Sequence, residues 1–174
     1  MSYFSYKNNI LYCEKVKISD IADKYGTPAY IYSKKTLSEN FDAYANAFDK
    51  KSGLICFSVK SLSNLSILKF LSEKGSGFDI VSGGELERTL LAGADPKKII
   101  FTGIAKTDEE ILFGIEKNIL SFNIESKSEM MRIEKIARDK KKLVDVAIRF
   151  NPEIDAGVMS TLKQEERKIN LEFS

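Results

Sequence analysis

The sequence predicts an α/β fold built on a parallel sheet, and three observations predict it. Short apolar runs alternate with helix-period segments roughly every 20 to 24 residues. The loops between them are two to six residues long, as right-handed βαβ units require. About five such strands follow residue 53. Two closures fit this rhythm. One is an open doubly wound sheet. The other is a (β/α)8 barrel, which needs eight strands and ~250 residues, more than the 174 present.

The elements follow in order. An apolar run at 29–32 comes after the turn-like stretch 25–28, and Ser33 can cap a helix carrying Leu37, Phe41, Tyr44, Ala45 and Phe48 on one face. Gly53 ends that pattern, and Leu54 to Val59 reads as a buried strand ending at Lys60. A helix from about Ser63 turns Ile67, Leu68 and Leu71 inward and stops at Gly75. A short strand, Phe78 to Val81, precedes a helix from Glu85 to Ala92 with Leu86, Leu90 and Leu91 on one side and Gly93 as its stop. Ile99 to Thr102 is a strand, and Thr107 to Glu110 is a capping box opening a helix through Glu116. Leu120 to Ile124 is a strand. Ser126 to Glu129 reads as a second capping box, with Met130, Ile133, Ile136 and Ala137 inward. Leu143 to Phe150 is the last clear strand, and residues 158–174 are polar and break the βα rhythm.

Composition excludes several functions. Lys and Arg total 27 against 25 Asp and Glu, a net charge of +2, so no basic excess is available for a nucleic-acid backbone. Histidine is absent, which removes imidazole bases, His triads and His-ligated zinc. Cys13 and Cys56 have neither metal spacing nor the number for a disulfide framework, so a reducing, cytoplasmic setting is expected. No run approaches the ~18 apolar residues of a membrane span.

Three positions carry candidate chemistry. Lys60 sits at the C-terminal end of an apolar strand, where parallel α/β folds place their sites. Low-dielectric walls there would disfavour its ammonium, and a neutral amine can bond an aldehyde. A lysine snorkelling to water is the simpler reading of its position alone. Asp79 lies inside a short apolar strand, where a carboxylate needs a partner unless strand twist exposes it. Arg149 ends its strand run as Lys60 ends its own. It could meet a ligand's anionic group or simply pair with Glu153 or Asp155. The glycines between Gly75 and Gly84 fit neither a dinucleotide fingerprint nor a P-loop.

Six segments in order then resemble one family: 25–33, Cys56 to Lys60, Gly75 to Leu86, Phe101 to Thr107, Phe122 to Ser126, and Arg149 to Ala156. They are similar to the diaminopimelate decarboxylases of the alanine-racemase-like, pyridoxal-phosphate-dependent group, over about residues 1–157. The resemblance, unlike the periodicity, selects the barrel. It implies a partial (β/α)8 barrel at 34–157, with residues 1–33 belonging to a β-rich second domain and 158–174 an atypical tail. It implies pyridoxal 5'-phosphate as cofactor, Lys60 as the lysine that bonds it, and Asp79 and Arg149 beside it at the barrel mouth. The implied reaction removes the D-centre carboxylate of meso-2,6-diaminopimelate, giving L-lysine and CO2. A homodimer is the family's assembly. Ornithine, arginine or carboxynorspermidine are alternative substrates, and a non-catalytic cofactor-binding or interaction remnant is the reading from another class.

The departures from the family are also informative. Leu62 stands where the family has an asparagine two residues after the lysine. Gly157 to Met159 runs straight into Ser160 to Lys163 where a His-Pro-Tyr stretch is usual. The family's later histidine, glycine-rich phosphate loop, pyridine-facing glutamate and C-terminal cysteine and tyrosine have no counterpart. The expectation is a truncated chain, inactive alone, because each lost charge-assisted hydrogen bond is worth roughly 1.5–3 kcal/mol.

Overall fold

The computed structural model describes residues 3–48 and 53–150. The chain divides into two compact units, Met1–Gly53 and Leu54–Ser174. The tail beyond residue 150, with Glu153 and Asp155, lies outside the described residues.

The first unit opens with an antiparallel sheet of β1 (Phe4–Lys7), β2 (Ile10–Cys13) and β3 (Val16–Lys17). Lys7 pairs with Ile10 across a two-residue turn whose Asn8 and Asn9 both take positive φ, 50° and 60°, the geometry a tight hairpin demands. Helix α1 (Ile18–Tyr25) stops at Gly26, and α2 (Lys34–Ala47) is capped by Ser33, whose hydroxyl accepts from Thr36 N. The cap is as expected, but the apolar face of α2 is at most half covered, with Tyr44 and Phe48 exposed. The run at 29–32 is not a strand, since no strand among the described residues supplies ladder partners and Tyr30 is exposed.

Glu14 joins the hairpin to α2. Its Oε1 accepts from Ser33 Oγ at 2.8 Å and from Lys35 N at 2.9 Å. The Lys35 amide, and after it the Ser33 hydroxyl, holds the carboxyl below the usual glutamate range. A lowered folded value stabilises above the ordinary range, and that stabilisation is lost as pH falls through the folded value. Glu14→Gln is therefore expected to lower the melting temperature of the full chain at neutral pH, and to lower it by less at about pH 3. An equal drop at both pH values would show that shape, not charge, matters.

The second unit is a five-stranded parallel sheet: β4 (Cys56–Ser58), β5 (Gly77–Ile80), β6 (Ile99–Phe101), β7 (Ser121–Ile124) and β8 (Val146–Ile148). Helices α3 (Leu65–Glu73), α4 (Gly83–Leu91), α5 (Asp108–Lys117) and α6 (Lys127–Asp139) connect them. The strand order follows the chain order without reversal. A doubly wound sheet must reverse at a switch point, so the sequential order is that of a barrel wall. Among the described residues, five of the eight strands of such a barrel are present.

One face of the sheet is packed. Phe78, Ile80, Ile99, Phe101 and Phe122 are fully buried with Leu68, Leu86 and Ile111 of the helices. The Phe101 and Phe122 rings stack at 5.8 Å. Several expected inward residues depart from this. Thr89 is buried in place of Leu91, which is 72% exposed, because α4 turns a narrower stripe to the sheet than its leucines suggest. The β8 residues are exposed, because no strand flanks that edge among the described residues.

Gly114 of α5 sits where a Cβ would come 2.7 Å from Phe122 Cζ. Phe122 is fully buried and stacked, so it cannot give way. Gly114→Ala gains about 1 kcal/mol of helix propensity but incurs an overpacking cost of about 1–3 kcal/mol. The expected net result is destabilisation by urea titration; a stabilised variant would contradict this packing.

Candidate active site

Strand alternation sends Phe78 and Ile80 to the helices and Asp79 between them to the opposite, inner face. The registers place Ser58 beside Asp79, and Asn123 beside Ala147, on that same face. Ser58, Asp79 and Asn123 are polar, whereas barrel interiors are filled mainly by Val, Ile and Leu. Ser58 Oγ donates to Asp79 Oδ2 at 3.3 Å, Thr102 Oγ1 donates to Asp79 Oδ1 at 2.5 Å, and Asn123 Nδ2 donates to Thr102 Oγ1 at 3.0 Å. A hydrogen-bonded row thus crosses β4, β5, β6 and β7 near their C-terminal ends.

Lys60 follows β4 in a 3-10 turn, Val59–Ser61. Val59 is fully buried, and Ser61 Oγ donates to Ser58 O at 2.7 Å, so the turn is held on both sides of Lys60. The lysine itself is exposed. The low-dielectric walls expected around it are therefore missing from the described chain: one side of the turn is covered, and the other faces the open edge of the sheet. Leu62, at the family's asparagine position, is half-buried. Asp79 is half-buried, and the hydroxyls of Ser58 and Thr102 supply the partners its carboxylate needs.

Arg149 follows β8 directly, its amide extending the ladder to Ile124 O at 3.1 Å. Its Nη1 donates to Glu125 Oε1 at 3.4 Å. The parallel sheet thus brings Lys60, Asp79 and Arg149 to one rim. Asp79 is beside the lysine's strand, while Lys60 and Arg149 lie at opposite edges with three strands between them. Cys56 is no rival nucleophile. Burial first, and then the charge of Asp79, pushes its thiol up, which keeps it protonated at neutral pH.

The sequence reading left Lys106, Glu125 and Glu129 without a site role. Lys106 is 3% exposed, and its Nζ donates to Glu129 Oε1 at 2.7 Å, Gly103 O at 2.6 Å and Asn123 O at 2.9 Å. Glu129 does not close the expected capping box. Ser126 Oγ does accept from Glu129 N, but Glu129 Oε2 accepts from Glu125 N at 2.8 Å, one residue before the cap. Among the described residues, only the Thr107–Glu110 box is reciprocal. A charged residue in a strand-end loop, followed by a buried-face glutamate one βα unit later, was the available signal.

The profile of the family described as "Pyridoxal-dependent decarboxylase, pyridoxal binding domain" matches residues 34–170. The chain belongs to that family of pyridoxal-dependent decarboxylases. Diaminopimelate decarboxylase of Haemophilus influenzae is 46% identical over 156 residues, covering 90% of this chain and 38% of the relative. The crystal structure of AQ1208 from Aquifex aeolicus matches with a TM-score of 0.83 and 40% identity, over 87% of this chain and 37% of that one. Diaminopimelate decarboxylase from M. jannaschii, solved in complex with L-lysine, matches at 0.83 and 32% identity, over 93% of this chain and 40% of that one. The chain spans about two-fifths of the length of these relatives.

The donor set fits one end of a pyridoxal group. The aldehyde needs a primary amine, and Lys60 presents one, exposed, on the rim of a polar inner wall.

Proposed function

We propose that this chain forms the lysine-bearing wall of a pyridoxal-phosphate-dependent carboxy-lyase that converts meso-2,6-diaminopimelate to L-lysine and CO2. The observation that carries the reading is Lys60 standing just past the first strand of a sequentially ordered parallel sheet, on the rim that also holds Asp79 and Arg149. The names of the relatives support the substrate. Bound pyridoxal phosphate supplies the electron sink for loss of the carboxylate.

In this reading Lys60 is the attachment point for the cofactor's aldehyde. Asp79, fixed by Ser58 and Thr102, offers a carboxylate of set orientation on the inner wall. Arg149 offers a guanidinium for an anionic group of cofactor or substrate. The complete protein works as a cytoplasmic homodimer on a small amino acid. The described strands alone leave the rim open to water, which weakens every electrostatic contact there, so cofactor capture without turnover is expected of the isolated chain.

The test is to incubate the purified chain with pyridoxal phosphate, reduce with borohydride and map the labelled peptide. CO2 release from meso-diaminopimelate is followed with and without the C-terminal three-fifths of the Haemophilus influenzae relative as a separate chain. Label on Lys60, with CO2 only in the mixture, supports the reading. Label spread evenly over the lysines would refute it.

A further inference from the structure

The hydrogen bonds of the rim meet at one buried group. A lysine ammonium has three donors, and Lys106 uses all three: on Glu129, on the carbonyl that follows β6 at Gly103, and on the Asn123 carbonyl of β7. The side chains of this ion pair are 1% and 8% exposed. Glu129 then holds the Glu125 amide, and Glu125 Oε1 accepts from both Gly103 N and Arg149 Nη1, each at 3.4 Å. The Glu125 side chain is 11% exposed and that of Arg149 37%. On the other side, Asn123 continues through Thr102 to Asp79 and Ser58.

We infer that Lys106 and Glu129 are positioning residues: their buried ion pair orients Glu125, and through it Arg149, toward the rim. Both act through other residues and touch no reacting atom. The exposed pair of Arg138 with Glu134, by contrast, lies four residues apart within α6. The inference goes beyond the proposed function, and its readout needs no cofactor.

The experiment follows modification of individual arginines by phenylglyoxal in the full chain, using peptide mapping. Arg138, whose side chain is 76% exposed, is the internal reference. In the wild type, Arg149 is expected to react more than about fivefold slower than Arg138, a larger difference than exposure alone gives. Equal rates would overturn the inference without any variant. In Glu129→Gln, which keeps an acceptor but removes the charge, and in Lys106→Met, the Arg149 to Arg138 rate ratio is expected to rise about fivefold with circular dichroism unchanged. A ratio unchanged in either folded variant overturns it. A purely structural role would raise both rates together and leave the ratio alone. If the wild type captures no pyridoxal phosphate at Lys60, the proposed function falls while the arginine ratio still decides this point.

Discussion

Lys60→Ala is expected to abolish borohydride-fixed pyridoxal phosphate on this chain while leaving its folding intact. The loss should be complete, because one amine makes the bond and the other lysines retain the same chemistry without the site. Stability should change by no more than about 0.5 kcal/mol, since the residue is exposed on a turn held by Val59 and Ser61. Lys60→Arg separates charge from nucleophilicity. A guanidinium stays protonated at any accessible pH, so the arginine variant should also fail to be labelled. Labelling of the alanine variant at wild-type level, read by intact mass, would remove Lys60 from the site.

Lys106→Ala is expected to be the most destabilising single substitution in the second unit, at about 3–5 kcal/mol by urea titration. The reason is what stays behind. Glu129 remains a buried carboxylate without its cation, and the carbonyls of Gly103 and Asn123 lose a charged donor. Against a typical domain stability of about 5–15 kcal/mol, that is a large fraction. The exposed Arg138–Glu134 pair gives the contrast: breaking it should cost about 0.3–0.5 kcal/mol, as for other i,i+4 surface pairs. Glu129→Gln should fall between the two, because its single amide oxygen can accept from Lys106 or from the Glu125 amide, where the carboxylate serves each with a separate oxygen. A Lys106→Ala variant within about 1 kcal/mol of wild type would mean that water replaces the ammonium at little cost.

Residues with local signals were legible in sequence. Ser33, Thr107 and Ser126 were read as caps because a cap is written within four residues. Lys60 was placed at a strand end because an apolar run ends there, and Asp79 was singled out because a carboxylate breaks such a run. The hairpin β1–β2 was missed although Asn8-Asn9 between apolar residues marks it. Glu129 was misassigned for a subtler reason. Its capping position is a local fact, but the ammonium that takes its carboxylate comes from a loop 23 residues earlier.

The sequence by itself determined the succession along the chain and the parallel direction of the second unit's strands, the caps at Ser33, Thr107 and Ser126, and the lysine that follows β4. Periodicity, caps and short connections are local, and short connections leave parallel winding as the available course. The tertiary structure alone decided that the strands run in unbroken order, that hydroxyls from two neighbouring strands satisfy Asp79, and that Lys106 is buried while Lys60 is not. Those outcomes depend on lateral register between segments some twenty residues apart, and on which faces a neighbouring element covers. The linear pattern of polar and apolar residues does not contain that geometry.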